Sequence, residues 1–436
     1  MNQILLSIDF ISILRGLLGI LVLIAIAWVF STNRKAINWS LVAKGLALQI
    51  ILALLILKVP GVENIFEFLS KCFVKVISFT QDGVKFLFAS FIDNTIDSAL
   101  LNFAVVILPT VIFFSALTSL LYYWGVLQKV VYGFAWLMKK IMKLSGAESL
   151  AAAGNIFLGQ TESPLLVKPY LDRMTKSEIM CLMSGGMATI AGGVLAAYIN
   201  FLGGDSVEEQ VYFAKHLLAA SVMSAPAAVV AAKIIVPETE EFNQELKVAK
   251  DEIGSNALEA IANGTTQGIK LAVNVAGMLL VFIALMALCN YSLFKIGYWT
   301  GLNEVISSNT AFDGLSFEFI VGYACAPLAW VIGVCKEDMI LVGQLLGEKT
   351  IVNEFVAYIS LGKMKAGGLF AEQKSVIIAA YVLCCFANFS SIGIQIGGIG
   401  ALSPKQKPTL SKFGFRALIA GALACMFTAA TVGMLL

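Results

Sequence analysis

Long apolar stretches constrain the fold of this chain more than any other feature of its sequence. Ile13–Phe30 and Leu41–Val59 are two such stretches, and a helix of about 20 residues crosses the roughly 30 Å hydrocarbon core of a bilayer. Of the 436 residues, 59% are hydrophobic and 13% are charged. This composition excludes a soluble globular domain and predicts an all-α polytopic membrane protein.

Charge and motif content exclude several function classes. The net charge of +2 gives no signature of nucleic-acid binding, and the 8 scattered cysteines with the single His216 indicate neither a zinc site nor a disulfide framework. The sequence also lacks H-E-x-x-H, G-x-S-x-G and Walker motifs. We therefore expect neither an enzyme nor a bound cofactor.

Flanking charges predict the orientation of the first spans. Arg34 and Lys35 follow the first span, and the positive-inside rule places them in the cytoplasm, with the N-terminus outside. The residues before Ile13–Phe30 lack a basic region and a small-residue cleavage site. We therefore expect this span to be retained.

A polar stretch at residues 154–164, GNIFLGQTESP, separates two apolar segments that are too short to span a membrane. Ala147–Phe157 favours one helical arm, and Leu165–Leu171 favours a second arm that Ser163 would cap. This pattern predicts a re-entrant hairpin whose polar tip reaches the middle of the membrane. Irregular backbone at that depth must be buried in protein or line a cavity, and Glu162 there indicates a functional site.

The second half of the chain repeats the first half in type. After the hairpin come Ile179–Leu202, interrupted by glycine and hydroxyl residues, and the plain apolar stretch Phe213–Val236. Later, short apolar arms flank residues 347–354, GEKTIVNE, and are followed by the interrupted Val376–Ala401 and the plain Phe415–Leu436. An odd number of crossings separates the two units and makes them inverted. Inverted repeats with discontinuous helices are typical of secondary transporters, which bind their substrate near the midplane.

This repeat divides the chain into four predicted regions. Scaffold helices with interfacial elements occupy residues 1–124, and a first transport-domain repeat occupies 125–236. A cytoplasmic loop and a scaffold span occupy 237–300, and a second transport-domain repeat occupies 301–436. The other predicted elements are an interfacial helix at Gly61–Thr80, a surface element at Gln81–Ser98, spans at Leu100–Trp124 and Ile269–Leu293, and an amphipathic helix at Val126–Leu144.

Four motifs resemble the concentrative nucleoside transporter family: Gly159-Gln160-Thr161-Glu162, Met187-Ala188-Thr189-Ile190-Ala191-Gly192, Asn353-Glu354-Phe355-Val356-Ala357-Tyr358 and Phe386-Ala387-Asn388-Phe389-Ser390-Ser391-Ile392-Gly393. The resemblance implies a homotrimer of eight-span protomers, each with two re-entrant hairpins, a scaffold domain and an elevator-like transport domain. The chain length resembles that of bacterial members. We therefore expect a protein of the bacterial inner (plasma) membrane with both termini outside.

The resemblance also implies a set of substrate-binding residues. Gln160, Thr161 and Glu162 would meet the nucleobase with Val194 nearby, while Glu354, Asn388 and Ser391 would hold the ribose and Phe386 would contact the ligand. The assigned chemistry is sound, because amide and hydroxyl groups complement a nucleobase and a carboxylate accepts both O–H groups of a vicinal diol. We expect import of nucleosides such as uridine, cytidine or adenosine.

A sodium ion between the first tip and the first interrupted helix is implied in the same way. Its ligands would be the side-chain oxygens of Asn155 and Thr189 and the carbonyl oxygens of Leu158, Ile190 and Gly193. Family members often carry a larger residue at the position of Gly193, but a carbonyl ligand does not depend on the side chain. The resemblance also allows proton coupling as the alternative, because some bacterial members of the family are coupled to protons instead of sodium.

Each assignment has a structural alternative. Glu162 could pair with a neighbouring helix, Asn388 and Ser391 could join helices by hydrogen bonds, and Thr189 could bond back to its own helix. Val194 and Phe386 could simply pack against other apolar side chains.

Three other functions compete with nucleoside import. A membrane hydrolase that uses Glu162 and Glu354 would need one of the catalytic motifs that the sequence lacks. An elevator-type carrier of another small polar solute and a channel are the other two. A carrier of carboxylates would need cationic groups at the hairpin tips, where this sequence has glutamates.

Overall fold

A computed structural model describes residues 10–75, 108–204, 206–242, 255–310 and 312–436, and its regular elements there are all helical. Among these residues, four helices are long and apolar enough to cross a membrane, and a bent helix pair over 108–142 would make a fifth span. The all-helical fold is therefore confirmed. The prediction for Gln81–Ser98 and most of the loop before 255 lie outside the described residues.

The N-terminal helices agree with the predicted helical segments as far as these are described, since residues 76–107 lie outside the description. They are α1 (Phe10–Val29), α2 (Trp39–Lys58), α3 (Leu108–Tyr123) and α4 (Val126–Met142), and residues 60–75 are also helical. The Asn38 side chain begins α2 by accepting a hydrogen bond from the Leu41 amide. A bend of 77° separates α3 from α4 at Gly125, whose φ of +72° favours glycine.

The first unit consists of a hairpin, an interrupted helix and a long helix. Its elements are α5 (Gly146–Gly154), α6 (Ser163–Leu166), α7 (Lys176–Ala188), α8 (Gly192–Gly203) and α9 (Val207–Ile235). Capping boxes start both α5, through Ser145 and Glu148, and α7, through Thr175 and Glu178. Residues 189–191 between α7 and α8 have extended backbone at Thr189 and Ala191, so the predicted interruption is real.

The second unit follows three intervening helices. These are α10 (Ala257–Thr300), which has 44 residues, α11 (Leu302–Asn309) and α12 (Phe317–Val331). The unit itself consists of α13 (Met339–Ile351), α14 (Glu354–Ala366), α15 (Gln373–Leu383), α16 (Phe389–Leu402) and α17 (Lys407–Leu435).

The two units match element by element. Each has a two-armed hairpin, then two helices with an irregular break between them, then a helix of 29 residues. The two long helices, α9 and α17, pack on one another, and the hydroxyl groups of Ser224 and Thr428 lie 3.2 Å apart across that contact. The predicted repeat of element types is thus present in the structure.

Three local predictions were wrong. The second hairpin does not turn over residues 347–354, because α13 continues to Ile351 and leaves only residues 352–353 between the arms. Ser163 does not cap α6: its hydroxyl donates to the Ala151 carbonyl on the opposite arm. The apolar stretch Phe317–Val334 predicts an interruption at Pro327, but Pro327 lies inside the continuous helix α12.

A buried ion-pair network joins the beginnings of α5 and α7 to the end of α9. Lys233 forms an ion pair with Glu148, and its Nζ also lies 3.3 Å from Glu238 Oε2. The same Nζ donates to Ser177 Oγ at 2.9 Å, and Thr175 Oγ1 donates to Glu238 Oε2 at 2.8 Å. One ammonium thus holds the first hairpin arm, α5, and the first half of the interrupted helix, α7, against the long helix α9.

Replacing Lys233 with methionine is expected to destabilise the protein strongly. The Glu148 side chain is only 1% exposed, so the variant would leave a buried carboxylate without its cation, at a cost of about 3–5 kcal/mol in the free energy of unfolding. The melting temperature of the purified protein in detergent measures this effect. The exposed Lys412→Met is the control, and equal melting temperatures for the two variants would contradict the role of the network.

Candidate functional site

A cavity of about 550 Å³ lies where the two hairpin tips meet the two interrupted helices. Its size is within the range of about 300–1,000 Å³ that is usual for small-molecule sites. All eight residues predicted to meet the substrate line this cavity: Gln160, Thr161, Glu162, Val194, Glu354, Phe386, Asn388 and Ser391. The structure therefore brings the whole predicted set together, and their role in binding stays a prediction.

The first hairpin tip is held by its own backbone and by the second interrupted helix. Glu162 Oε2 accepts a hydrogen bond of 3.0 Å from the Gly159 amide, which closes the tip on itself. Gln160 Nε2 donates to Ser391 Oγ at 3.2 Å. A side chain at Gly186 would come within 3.0 Å of Gln160 Cβ, so only glycine lets α7 support the tip this closely.

Gln160 retains unused hydrogen-bonding capacity at the cavity. Its Oε1 atom is buried and has no hydrogen-bond partner in the described part of the chain. A buried amide oxygen without a donor costs free energy. Gln160 is therefore available to a ligand that brings an N–H group, as a nucleobase does.

The second hairpin tip carries a carboxylate held by two donors. Asn388 Nδ2 donates to Glu354 Oε2 at 2.6 Å, and Tyr198 Oη donates to Glu354 Oε1 at 3.3 Å. Asn388 Oδ1 accepts hydrogen bonds from Ser390 Oγ and from the Ser391 amide, and thereby caps α16. Each carboxylate oxygen keeps further acceptor capacity toward the cavity.

Some of the bonds proposed as structural alternatives are present. Asn388 and Ser391 do join neighbouring elements, through Glu354 and Gln160 respectively. Thr189 Oγ1 donates to the Gly185 carbonyl at 2.9 Å, which is the bond to its own helix. In each case only part of the hydrogen-bonding capacity is used, because a hydroxyl or carboxylate oxygen has more than one lone pair.

One wall of the cavity was missed in the sequence. Gln267, Lys270 and Asn274 of α10 face the tips. Their spacing of three and four residues puts them on one side of a helix, so a polar stripe in an otherwise apolar span was the available signal. Tyr198, four residues after Val194 on the same helix face, was missed in the same way.

The residues predicted to hold sodium, Asn155, Leu158, Thr189, Ile190 and Gly193, are not in the described lining of the cavity, although Gly159, Ala191 and Val194 beside them are. Asn155 ends the first arm and is 1% exposed, and neither atom of its amide has a hydrogen-bond partner within the described ranges. A Cβ atom at Gly185 would lie 2.6 Å from Asn155 Nδ2, so Asn155 and Thr189 both pack around Gly185. Gly193 lies in the first turn of α8.

This donor set suits an alkali cation. A buried amide oxygen without a donor, a hydroxyl oxygen and the backbone carbonyls of an interrupted helix are all hard, uncharged oxygen ligands. Secondary transporters bind their coupling ions with carbonyl groups of this kind. The residues present therefore fit Na⁺.

Interrupted helices that frame a cavity with polar side chains in its lining, inside an apolar helical protein, define a membrane transport protein of the secondary-transporter class. Family models agree with this class. Residues 18–91 match the N-terminal model of the Na⁺ dependent nucleoside transporters, and residues 216–433 match the C-terminal model. Residues 104–205 match the model described as "Gate: Nucleoside recognition".

Individual relatives agree with the family models. An uncharacterized transporter of Haemophilus influenzae is 39% identical, over 97% of this chain and 98% of that protein. Solute carrier family 28 member 3 of Rattus norvegicus is 41% identical over 96% of this chain, which spans only 58% of the rat protein. The structure of CNTnw in an inward-facing substrate-bound state has a TM-score of 0.86 and 36% identity, with 97% of each chain covered. A doubly substituted CNTnw in an outward-facing state has a TM-score of 0.87 and 35% identity, over 97% of this chain and 98% of that chain.

The chain belongs to the Na⁺ dependent nucleoside transporter family. The resemblance drawn from the four motifs is thereby confirmed. The protein is an integral membrane protein and a transporter rather than an enzyme, and its family transports nucleosides.

Proposed function

We propose that this protein imports nucleosides with Na⁺ as the coupling ion, by an elevator-type alternating-access mechanism. The observation that carries the proposal is the meeting of two polar groups on one cavity: the Gln160–Ser391 pair and the Glu354–Asn388 pair. One pair offers amide chemistry for a nucleobase and the other offers a carboxylate for a diol. A relative of the same family is named sodium/nucleoside cotransporter 1.

Substrate binding would exchange internal hydrogen bonds for bonds to the ligand. Gln160 would turn from Ser391 toward the nucleobase, with Thr161 and Glu162 beside it. Glu354 would accept the ribose hydroxyls while Asn388 holds it in place. Val194 and Phe386 would supply an apolar wall, since both line the cavity. A sugar that lacks these hydroxyls should be rejected, because the polar groups of the site would be left unpaired.

Sodium would be a co-substrate bound behind the first tip by Asn155, Leu158, Thr189, Ile190 and Gly193. Asn155 belongs to the hairpin and Thr189 to the break after α7. An ion held by both would fix the tip against the interrupted helix. Nucleobase contacts on residues 160–162 would therefore depend on the ion.

Transport would move the two units past a fixed scaffold. In this proposal residues 125–236 and 301–436 form the transport domain, residues 1–124 and 237–300 form the scaffold, and scaffold contacts build a homotrimer. The hairpins would be re-entrant, the repeats inverted and the spans eight, with both termini outside the bacterial inner membrane. The polar stripe on α10 supports this division, because it gives the scaffold a wall along the substrate cavity.

Uptake of labelled uridine into proteoliposomes tests the proposal, under an inward sodium gradient and separately under an inward proton gradient. Concentrative uptake with sodium alone is expected. Uptake with protons alone would keep the nucleoside site and overturn the sodium site. Absence of uptake with either ion, for uridine and adenosine alike, would favour a carrier of another small polar solute, while uptake that never exceeds the outside concentration would indicate a channel.

A further inference from the structure

Lys349 is buried in the second hairpin without a carboxylate partner. It lies in the last turn of α13 and is 0% exposed. Its Nζ donates to the Val382 carbonyl at 3.0 Å and lies 3.1 Å from Cys385 Sγ. No ion pair joins it to an acidic residue among those the structure describes, although a buried ammonium normally has such a partner.

The groups around Lys349 belong to the break in the second interrupted helix. Val382 is in the last turn of α15, and Cys385 follows in the irregular segment before α16. The last carbonyls of a helix have no intrahelical donors and carry the negative end of its dipole. The positive charge of Lys349 therefore offsets the negative end of the α15 dipole in the protein interior.

The first unit has an equivalent place. There the first hairpin arm ends at Asn155, and the neighbouring break follows α7 at Thr189. That is the location assigned above to Na⁺. In both units a residue near the end of the first arm lies against the last turn of the helix before the break: Asn155 against Gly185, and Lys349 against Val382. The first unit presents a neutral amide there, and the second presents an ammonium.

We propose that the Lys349 ammonium is a tethered cation, which takes in the second unit the place that the coupling Na⁺ takes in the first. This inference rests on the proposed function. If so, ribose binding at Glu354 and Asn388 requires no ion, and only nucleobase binding depends on sodium. The expected stoichiometry is then one sodium ion per nucleoside.

Neutral replacements of Lys349 test the need for a charge. Lys349→Met keeps an unbranched side chain that is one atom shorter, and Lys349→Gln keeps a hydrogen-bond donor. Both should raise the dissociation constant for uridine at least tenfold at saturating sodium, measured on purified protein that is shown by gel filtration and circular dichroism to be folded. The control is Lys363→Met, which removes an exposed lysine on the other arm of the same hairpin. Affinity equal to wild type in Lys349→Gln would overturn the inference.

Chemical rescue separates charge from packing. Lys349→Ala removes a group with the shape of propylammonium, so added propylammonium should restore uridine affinity in a concentration-dependent way and 1-propanol should not. Equal recovery with both compounds, or recovery with neither, would overturn the inference. If Lys349 only filled space, the charged and the neutral additive would restore uridine affinity equally.

The wild-type protein supplies a test that depends on no variant. In proteoliposomes with a sodium gradient, the ratio of charge moved to uridine taken up should be one, and a ratio of two would overturn the inference. Failure of the proposed function looks different, because wild-type protein would then show no sodium-dependent uptake at all. Normal sodium-dependent uptake by the wild type, together with wild-type uridine affinity in Lys349→Gln, would overturn the tethered cation and leave the proposed function intact.

Discussion

Uridine uptake at low substrate concentration should fall at least about 100-fold when Glu354 is replaced by glutamine. The carboxylate would accept both ribose hydroxyls, and a hydrogen bond to a charged group contributes about 1.5–3 kcal/mol. Loss of two such bonds amounts to about 3 kcal/mol, and each 1.4 kcal/mol is roughly a factor of ten. Initial rates of labelled uridine uptake into proteoliposomes measure the effect.

The surroundings of Glu354 make glutamine a poor substitute. Both carboxylate oxygens already accept from donors, Asn388 Nδ2 on one side and Tyr198 Oη on the other. One orientation of a glutamine amide would place its NH₂ group against the Asn388 NH₂ group. The other would place it against Tyr198 Oη, which would then have to accept a hydrogen bond instead of donating one. Asn388 cannot simply reverse its amide, because its Oδ1 accepts from Ser390 and from the Ser391 amide. The variant therefore loses charge and also disturbs the ribose side of the cavity.

Glu348→Gln is the matched control for this prediction. Glu348 lies on the same hairpin and is 2% exposed, but it is bonded to Gln344 and is not in the described lining of the cavity. Its replacement should leave uptake close to that of the wild type. Near-normal uptake by a folded Glu354→Gln protein would count against the ribose contact.

Asn155→Ala should raise the sodium concentration for half-maximal uptake at least about tenfold, the lower end of what loss of a metal-supporting group costs. Asn155 offers the only side-chain amide in the proposed ion site, and its amide has no other partner in the described part of the protein. Its removal should therefore act on the ion before it acts on the nucleoside. Sodium activation curves for uptake, together with the sodium-induced rise in melting temperature, measure the change.

Two further variants sharpen the sodium test. Gly185→Ala should weaken sodium activation in the same direction, because the added methyl group would come within 2.6 Å of Asn155 Nδ2. Asn200→Ala should not, since that asparagine interacts with Gln210 instead. An unchanged sodium curve in Asn155→Ala would remove this residue from the ligand set.

Local sequence patterns predicted most of the fold and the tips of the cavity. The first two spans follow from apolar length alone, and the break at Thr189 follows from the glycine and hydroxyl residues around it. The end of the second hairpin did not follow, because Glu348 and Lys349 resemble loop residues until their burial against α15 and Gln344 is known. Charged residues inside a membrane helix depend on partners that lie far away in sequence, and no local pattern contains that information.

The polar stripe on α10 shows a second limit of the same kind. Gln267, Lys270 and Asn274 were visible as polar residues in a span, but only the fold shows that they face the hairpin tips. Motif resemblance identified residues of the two units, where all four motifs lie. It did not identify the opposite wall.

The two walls of the cavity suggest how a transported compound differs from an inhibitor. In the proposed mechanism one wall travels and the other, formed by α10, stays behind. A nucleoside that bonds only to Gln160 and Glu354 can travel with its wall. An analogue with an anionic extension long enough to reach Lys270 would bond to both walls and hold them together, so it should bind tightly and not be carried. Chemical design against this protein can therefore separate affinity from transport by the length of a single substituent.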